Sequence, residues 1–312
     1  MKYSTLRIGT RGSQLALWQA EWVKSELQKS HPSIKIELEI IKTTGDKILD
    51  SPLSKIGDKG LFTKEIETAL LDKRVDLAVH SLKDLPTNLP AGLMIGAIPK
   101  REDVRDVFIS HPEKKYKNLD DVPSSGKIAT GSLRRKCQLL NWKPQLEIID
   151  LRGNLNTRFA KLDSSDWDGM ILAHAGVMRL GFSNRITQII PTNKILPAVG
   201  QGALGIEIRS EDVELKSILE SLISEATTFS ALAERAFLRT LEGGCQVPIG
   251  AYARVEENKL VFDGMIGSLD GKKILRGSIH GEPAKCESIG NELAKSLYES
   301  GGKEILESIR IA

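Results

Sequence analysis

The apolar positions in the first third of the chain predict alternating strands and helices. Residues 6–9 form a short apolar strand, and Ser13 is the predicted N-cap of the helix that follows. That helix has one apolar face at helical spacing, made of Leu15, Trp18, Trp22, Val23 and Leu27. The periodicity further predicts a strand over 34–40, a helix over 63–73 and a strand over 75–79. Such alternation indicates a parallel sheet covered by helices.

The middle third repeats a strand, a turn and a helix three times. Strands are predicted over 127–129, 146–151 and 169–173, and each leads into a turn rich in Gly, Ser, Thr, Asn or Ala. Ligands of open α/β sheets bind at the carboxyl ends of the strands, where helix N-termini offer free N–H groups. Arginines follow the predicted strands at this edge, and the set is Arg11, Arg134, Arg135, Arg152, Arg158 and Arg179.

The last third has a pattern typical of a small α+β domain. A helix is predicted over 228–241 and a final helix over 284–299. Between them, three short segments at 250–253, 260–265 and 273–279 are predicted to form an antiparallel sheet.

Breaks in these patterns place domain boundaries near residues 99–106, 195–202 and 223. The 312 residues are enough for about two domains of ordinary size. Pro and Gly punctuate residues 196–202, a composition typical of a hinge between domains and equally of an ordinary surface loop.

Composition and charge exclude several classes of protein. Lys and Arg number 44 against 41 Asp and Glu, and a net charge of +3 is too small to indicate nucleic acid or an anionic membrane as partner. No apolar run approaches the ~18 residues of a membrane span, and the N-terminus lacks the apolar stretch of a signal peptide. The three cysteines form no C-x-x-C pair, so neither a disulfide framework nor a cysteine zinc site is expected. We therefore expect a cytoplasmic protein that holds no metal.

Six arginines in equivalent positions indicate a ligand with several negative charges. Guanidinium groups match carboxylate and phosphate geometry and stay charged at physiological pH. Any one of them, taken alone, is equally well explained as a solvated surface residue. No glycine-rich dinucleotide motif follows the first strand and no phosphate-binding P-loop occurs, which favours separate carboxylates over a nucleotide.

Three further residues are candidates for chemistry. Asp84 follows the strand over 75–79, at the edge that carries the arginines, where a carboxylate can stabilise a cation or move a proton. The alternative is that Asp84 caps the turn before Pro86. His80 is either a proton carrier or a satisfied core histidine. Cys245 lies in a glycine-rich turn after a helix, which suits a covalent role, although an isolated cysteine is usually a small buried apolar residue.

Several long motifs, in the correct order, resemble those of the porphobilinogen deaminase family, also called hydroxymethylbilane synthases. The resemblance runs from about Leu6 to the C-terminus. The motifs are RIGTRGSQLALWQA at 7–20, KGLFTKE at 59–65, DLAVHSLKDLP at 76–86, GSLRR at 131–135, LRGN at 151–154, LPAVGQGA at 196–203 and LEGGCQVPIG at 241–250. One departure is Gly131, where family members often have Ser.

The resemblance implies an α/β fold with three domains in a monomer. The first two domains look like the two lobes of type II periplasmic binding proteins. The first spans 1–99 and returns over 200–220, and the second spans 105–195. The third is a small α+β domain over 223–312 that carries the cysteine.

The resemblance also implies the reaction. Four porphobilinogen molecules are joined head to tail with loss of ammonia, and water releases linear hydroxymethylbilane. In the family the chain grows on a dipyrromethane cofactor, held by a thioether to the cysteine that matches Cys245, and the catalytic aspartate matches Asp84. The remaining family roles fall on cofactor-binding residues Lys83, Ser132, Arg134, Arg135 and Arg152, on substrate-binding residues Arg11, Ser13, Arg158 and Arg179, and on Lys55 and Lys59 in a mobile basic loop over the cleft.

This chemistry fits the residues. Each pyrrole brings an acetate and a propionate, so every elongation step adds carboxylates that a row of arginines can bind. Loss of ammonia leaves an azafulvene, whose positive charge Asp84 can stabilise before it accepts the proton released by the attacking carbon. Two other classes share parts of the pattern: a solute-binding or ligand-sensing protein with an arginine-lined cleft, and a cysteine-nucleophile transferase acting on another polyanion.

Overall fold

The computed structural model describes residues 3–47, 60–242 and 247–311. The strands, in chain order, are β1 Thr5–Thr10, β2 Lys35–Ile40, β3 Leu77–Ser81, β4 Leu93–Ala97, β5 Asp106–Ser110, β6 Lys127–Ala129, β7 Glu147–Ile149, β8 Gly169–Ala173, β9 Gln188–Ile190, β10 Leu204–Arg209, β11 Ile249–Glu256, β12 Lys259–Gly267 and β13 Ile274–Gly281. The helices are α1 Gln14–Ser30, α2 Thr44–Lys47, α3 Lys64–Leu71, α4 Leu133–Trp142, α5 Leu155–Asp163, α6 His174–Arg179, α7 Val213–Leu219, α8 Glu225–Thr240, α9 Cys286–Leu297 and α10 Lys303–Ile311.

The first sheet has the order β2-β1-β3-β10-β4, and with the helices packed on it we call it the first lobe. Strands β1, β2 and β3 run parallel, with Ile8 opposite both Leu38 and Leu77. Strand β10 runs antiparallel to both of its neighbours, β3 and β4. Because β10 follows the second sheet in sequence, the first lobe is completed only when the chain returns to it.

The second sheet repeats this plan, and we call it the second lobe. Its order is β7-β6-β8-β5-β9, with β6 parallel to both β7 and β8. Strand β5 enters from the first lobe and runs antiparallel to β8 and β9. In each sheet, therefore, the strand that arrives from the other lobe takes the fourth place in the order, between the third and the last strand.

The chain crosses between the lobes twice, through residues 98–105 and 191–203, which we call the hinge segments. They are bonded to each other: Arg101 Nε donates to Gln201 O at 2.7 Å, and Gln201 Nε2 donates to Val104 O at 2.7 Å. Ile195, Gln201 and Ala203 are buried. The surface-loop interpretation of residues 196–202 is therefore wrong, since this segment is packed between the lobes.

The third unit is the antiparallel sheet β11-β12-β13 with α8 and α9 packed on one face. Its core includes Phe237 and Phe262, whose rings meet edge to face at 5.4 Å. Glu234 on α8 is fully buried and accepts from Arg101 Nη1 at 2.7 Å and from Gly200 N at 2.7 Å. The third unit is thereby joined to both hinge segments.

The predicted class, two α/β lobes with a small α+β unit, is confirmed. Several bounds were predicted closely, including those of β6 and β8. The strand expected over 75–79 is β3, Leu77–Ser81, because Val75 N donates to Ala69 O in the turn that ends α3. The helix expected over 284–299 ends at Leu297, since the chain turns through Gly301 at φ 113° and begins α10.

None of the helices within the described ranges is both long and apolar enough to cross a membrane.

Candidate active site

The predicted site residues follow the carboxyl ends of the parallel strands. In the first lobe, Arg11 comes directly after β1, and Lys83 and Asp84 lie in a 3-10 helix, Leu82–Asp84, after β3. In the second lobe, Arg134 and Arg135 follow β6, and the other three predicted arginines follow β7 and β8. Carboxyl ends of parallel strands share one edge of a sheet, so each lobe presents its set at one edge.

The two edges face each other across a cleft. Lys83 in the first lobe interacts electrostatically with Arg135 and Arg158 in the second, and Asp84 interacts with Arg158. The helices beside the cleft also touch: Asn156 Nδ2 donates to Gln14 Oε1 at 2.5 Å. The structure thus brings residues predicted from separate segments into one site.

Asp84 presents an unpaired carboxylate to this cleft. Its side chain is exposed, and no group in the described ranges forms a hydrogen bond or ion pair with it. Its neighbours Leu82 and Leu85 are buried, and Leu82 N donates to Ala203 O at 3.0 Å. Apolar anchors on both sides therefore hold a turn from which Lys83 and Asp84 project.

Lys83 and Arg158 are cations in a poorly hydrated place. The Lys83 side chain is exposed, but the surrounding protein removes part of its hydration. This desolvation lowers the pKa of Lys83, and the attraction of Asp84 opposes the shift. Desolvation likewise lowers the pKa of Arg158 to about 10, and repulsion from Arg135 adds to the shift. Arg158 stays protonated at neutral pH, and a weakly hydrated cation attracts an anionic ligand strongly.

Arg134 and Arg135 are held by a buried carboxylate, Asp106. Arg134 Nη1 and Arg135 Nη2 each donate to it at 2.8 Å. Burial alone would raise the pKa of Asp106, but the two guanidinium groups hold it well below its usual range. Arg134 also donates to Leu196 O in the hinge at 2.6 Å, whereas Arg135 Nη1 donates to Ile171 O on β8 at 3.1 Å. These neighbours on α4 therefore face different parts of the molecule.

Asp106 was missed by the sequence analysis. It opens β5, an otherwise apolar strand in which all five residues are buried. A carboxylate at such a place must be paired, because an isolated buried charge is very costly. In a chain with several predicted arginines after its strands, that acid was the signal for an arginine partner.

The remaining predicted residues have local partners. Arg11 donates to Asp46 Oδ1 at 2.5 Å and lies 4.1 Å from the centre of the Phe62 ring. Ser13 and Ser132 are N-caps, of α1 and α4 respectively, so their hydroxyl oxygens accept from backbone N–H groups. The predicted capping role of Ser13 is confirmed.

Arg152 and Arg179 complete the second edge. Arg152 Nε lies 3.9 Å from Asp150 Oδ2, a weak pairing that leaves the guanidinium available. Arg179 donates to Gly202 O in the hinge at 2.8 Å and lies 5.6 Å from the ring centre of Trp18 in the first lobe.

Gly131, the departure noted in the sequence, packs against the loop that leads to Arg152. A Cβ atom at this position would lie 2.5 Å from Leu151 O. A serine therefore requires the two loops to separate, so glycine allows this close approach.

Three orphaned nitrogens test whether an anionic cofactor fits this site. The Nε atoms of Arg134, Arg135 and Arg179 are buried without a partner among the described residues. Donors of this kind, together with the desolvated charges of Lys83 and Arg158, suit a ligand that carries several carboxylates. The donor set thus fits a polycarboxylate such as dipyrromethane.

His80 is a core histidine. Its Nε2 lies 3.0 Å from Glu207 Oε2 across the β3–β10 pair, and both side chains are buried. Glu67 lies nearby, and desolvation raises its pKa. The proton-carrier interpretation of His80 is therefore not supported, since the ring is buried against a carboxylate of the neighbouring strand.

Three predicted site residues, Cys245, Lys55 and Lys59, lie outside the described residues. The other two cysteines, Cys137 and Cys286, are buried thiols. Burial raises the pKa of Cys137 to about 12, so it carries no reactive thiolate at neutral pH.

Comparison with known proteins identifies the family. Residues 6–217 match the model "Porphobilinogen deaminase, dipyromethane cofactor binding domain", and residues 228–299 match "Porphobilinogen deaminase, C-terminal domain". The porphobilinogen deaminase of Chlorobaculum parvum is 54% identical over 306 residues, 97% of each chain. That of Nostoc sp. is 51% identical over 305 residues, covering 98% of this chain and 94% of the relative.

Among solved structures, the periplasmic VFT2 domain of Bordetella pertussis BvgS has a TM-score of 0.43 and 11% identity, over 71% of this chain and 87% of that chain. The sequence identity to the two porphobilinogen deaminases, over nearly the full length, is far more specific than this structural similarity. The chain belongs to the porphobilinogen deaminase family, the transferases that make hydroxymethylbilane.

Proposed function

We propose that Asp84 is the catalytic residue with which this chain condenses porphobilinogen into hydroxymethylbilane. The observation that carries the proposal is the unpaired carboxylate of Asp84 in a cleft where it interacts with Lys83 and Arg158. A carboxylate at this place can stabilise the azafulvene cation formed when ammonia leaves the substrate. The same carboxylate then accepts the proton that leaves the attacking pyrrole carbon.

The arginines hold carboxylates in place while this happens. Arg11, Ser13, Arg158 and Arg179 are proposed to bind the substrate and the growing chain. Arg158 has its Nε bound to Gly153 O at 2.9 Å, which fixes the direction of the guanidinium and leaves both terminal nitrogens for a ligand. Fixed donors lose little freedom on binding, so more of the interaction appears as affinity.

The cofactor is proposed to be dipyrromethane held by a thioether to Cys245. Lys83, Ser132, Arg134, Arg135 and Arg152 would hold its carboxylates, with the unpaired Nε atoms of Arg134 and Arg135 among the donors. When bound, it supplies the pyrrole carbon to which the first substrate unit is joined. Lys55 and Lys59 are proposed to lie in a basic loop that covers the cleft.

The division into domains follows the strand exchange. We propose a first domain of residues 1–99 and 200–220, a second of 105–195 and a third of 223–312. The return of β10 to the first sheet and the separate core of the third unit support this division. We also propose a cytoplasmic monomer that binds neither nucleic acid nor membrane.

Intact mass and turnover, measured on the same preparation, test the cofactor proposal. The purified protein should convert porphobilinogen and be heavier than its sequence by two porphobilinogen units less two ammonias. Cys245→Ser should lose both the extra mass and the activity. Cys137→Ser and Cys286→Ser are the matched controls and should change neither, because both thiols are buried.

Active protein at the bare sequence mass would contradict the covalent cofactor. Binding of porphobilinogen without turnover would point instead to a solute-binding protein. Turnover of a different polyanion through Cys245 would point to another transferase.

A further inference from the structure

Arg235 on α8 holds the backbone directly after Asp84. Its Nη1 donates to Leu85 O at 3.1 Å and its Nη2 donates to Pro86 O at 2.6 Å. Only 4% of Arg235 is exposed. One guanidinium in the third unit thus binds two consecutive carbonyls in the first lobe.

Apolar packing surrounds this contact. Leu82 and Leu85 are buried in an apolar cluster with Ile98, Ala203 and Ala231. Ala231 lies one helical turn before Arg235 on α8. Apolar packing limits how far the turn can move, but it determines the orientation of the turn only weakly. Hydrogen bonds to two carbonyls, in contrast, fix the orientation of the peptide planes.

A structural ion pair does not account for Arg235. No carboxylate in the described ranges lies within ion-pair distance of its guanidinium, and desolvation lowers its pKa to about 10. A buried cation without a carboxylate partner is costly, so its retention calls for a role in the contacts it does make. Those contacts are the carbonyls that follow Asp84.

We infer that Arg235 is a positioning residue for Asp84: it fixes the peptide planes after the aspartate and so directs the carboxylate into the cleft. The inference rests on the proposed catalytic role of Asp84. Displacement of a catalytic group by about 1 Å can cost up to a hundredfold in rate, so loss of this support should appear in kcat.

Steady-state kinetics of Arg235→Met, with intact mass and melting temperature measured on the same protein, test the inference. Methionine fills much of the space but donates no hydrogen bond. We expect kcat per cofactor-loaded molecule to fall by about tenfold to a hundredfold, with KM changed less than about twofold. Arg235→Lys keeps a donor and should recover part of the loss.

Arg239→Met is the matched control, since Arg239 lies one turn further along α8 and pairs with Glu287 at the surface at 2.7 Å. It should retain wild-type kcat. If Arg235→Met does not fold, Arg235→Lys decides: a lowered kcat with unchanged KM supports the positioning role. Wild-type kcat in the folded, loaded variant, or a change in KM alone, would overturn it.

Asp84→Asn, measured in parallel, separates failure of the positioning role from failure of the catalytic role. If Asp84→Asn loses activity and Arg235→Met does not, the positioning role is wrong and the catalytic role stands. If Asp84→Asn keeps full activity, the proposed function of Asp84 fails, and Arg235 can no longer be positioning a catalytic group.

Discussion

The two lobes share one strand order, but their carboxyl edges carry different chemistry. The first edge presents Asp84 and Lys83 on a short turn, and the second presents arginines that follow three consecutive parallel strands. A common topology therefore determines where side chains meet, while the side chains themselves determine what each edge does. In the proposed function, the first edge supplies the reactive carboxylate beside Arg11 and Lys83, and the second supplies binding charge alone.

The edges also differ in how their charges are held. In the second lobe, Arg135 is bound by Asp106, and Arg158 and Arg179 are bound by backbone carbonyls. Asp84 in the first lobe has no such partner within the described ranges. Binding groups gain from being fixed before the ligand arrives, whereas a group that must stabilise a cation and accept a proton must keep its oxygens available.

The largest effect is expected when the cations proposed to hold the cofactor, and then those proposed to hold the growing chain, are removed. Arg135→His and Arg152→His should leave largely cofactor-free protein, because an unneutralised cofactor carboxylate in the cleft is costly. Arg11→His and Arg179→His should carry the cofactor but stall elongation. Intact mass gives the loading and product assay gives the turnover.

Arg152→His is the cleaner of the first two variants, since Arg152 makes only a 3.9 Å contact with Asp150, while Arg135 also holds buried Asp106. Arg185→His is the control: Arg185 lies in the same lobe but pairs with Asp163 on the surface at 2.6 Å. If all four variants load cofactor and lose activity equally, the division of roles is wrong and only a general electrostatic effect remains.

A smaller effect, on stability, is expected from Asp106→Asn. This change leaves Arg134 and Arg135 without their buried carboxylate, and removal of one partner from a buried ion pair typically costs about 3–5 kcal/mol. Denaturant unfolding at pH 7 measures the loss. Asp103→Asn is the matched control, because Asp103 pairs with Arg105 near the surface and should cost about 1 kcal/mol or less.

The pH dependence of the Asp106 effect has a definite sign. The pKa of Asp106 is lowered in the folded protein, so its ionised form stabilises the fold fully above the unfolded value of about 4. The difference in unfolding free energy between wild type and Asp106→Asn should be constant above that pH and narrow below it. A difference that grows as the pH falls would contradict the ion-pair account.

Much of the fold follows from local patterns in the sequence. The strands β6 and β8 and the cap at Ser13 are readable because a short apolar run, a turn and a helix stand next to each other in the chain. Strands β5 and β10 were missed as strands. Each lies antiparallel between strands that are distant in sequence, and a local pattern of apolar residues cannot predict that pairing.

The candidate site shows the same limit. Arg135 was predicted from its place after a strand, but its buried partner Asp106 lies 29 residues away on the crossing strand. Arg235 contacts the Asp84 turn from a helix 149 residues further along the chain. Such contacts depend on how the lobes and the third unit pack, which single-sequence patterns do not determine.

The central claim is that the cleft cations bind and Asp84 reacts, and one measurement tests it most directly. The kcat of Asp84→Asn should be determined on protein whose intact mass shows a full complement of cofactor. An amide neither stabilises the azafulvene cation nor accepts its proton, so kcat should fall by at least about a hundredfold while loading and melting temperature stay near wild type. A folded, loaded Asp84→Asn enzyme that retains more than about a tenth of wild-type kcat would contradict the account.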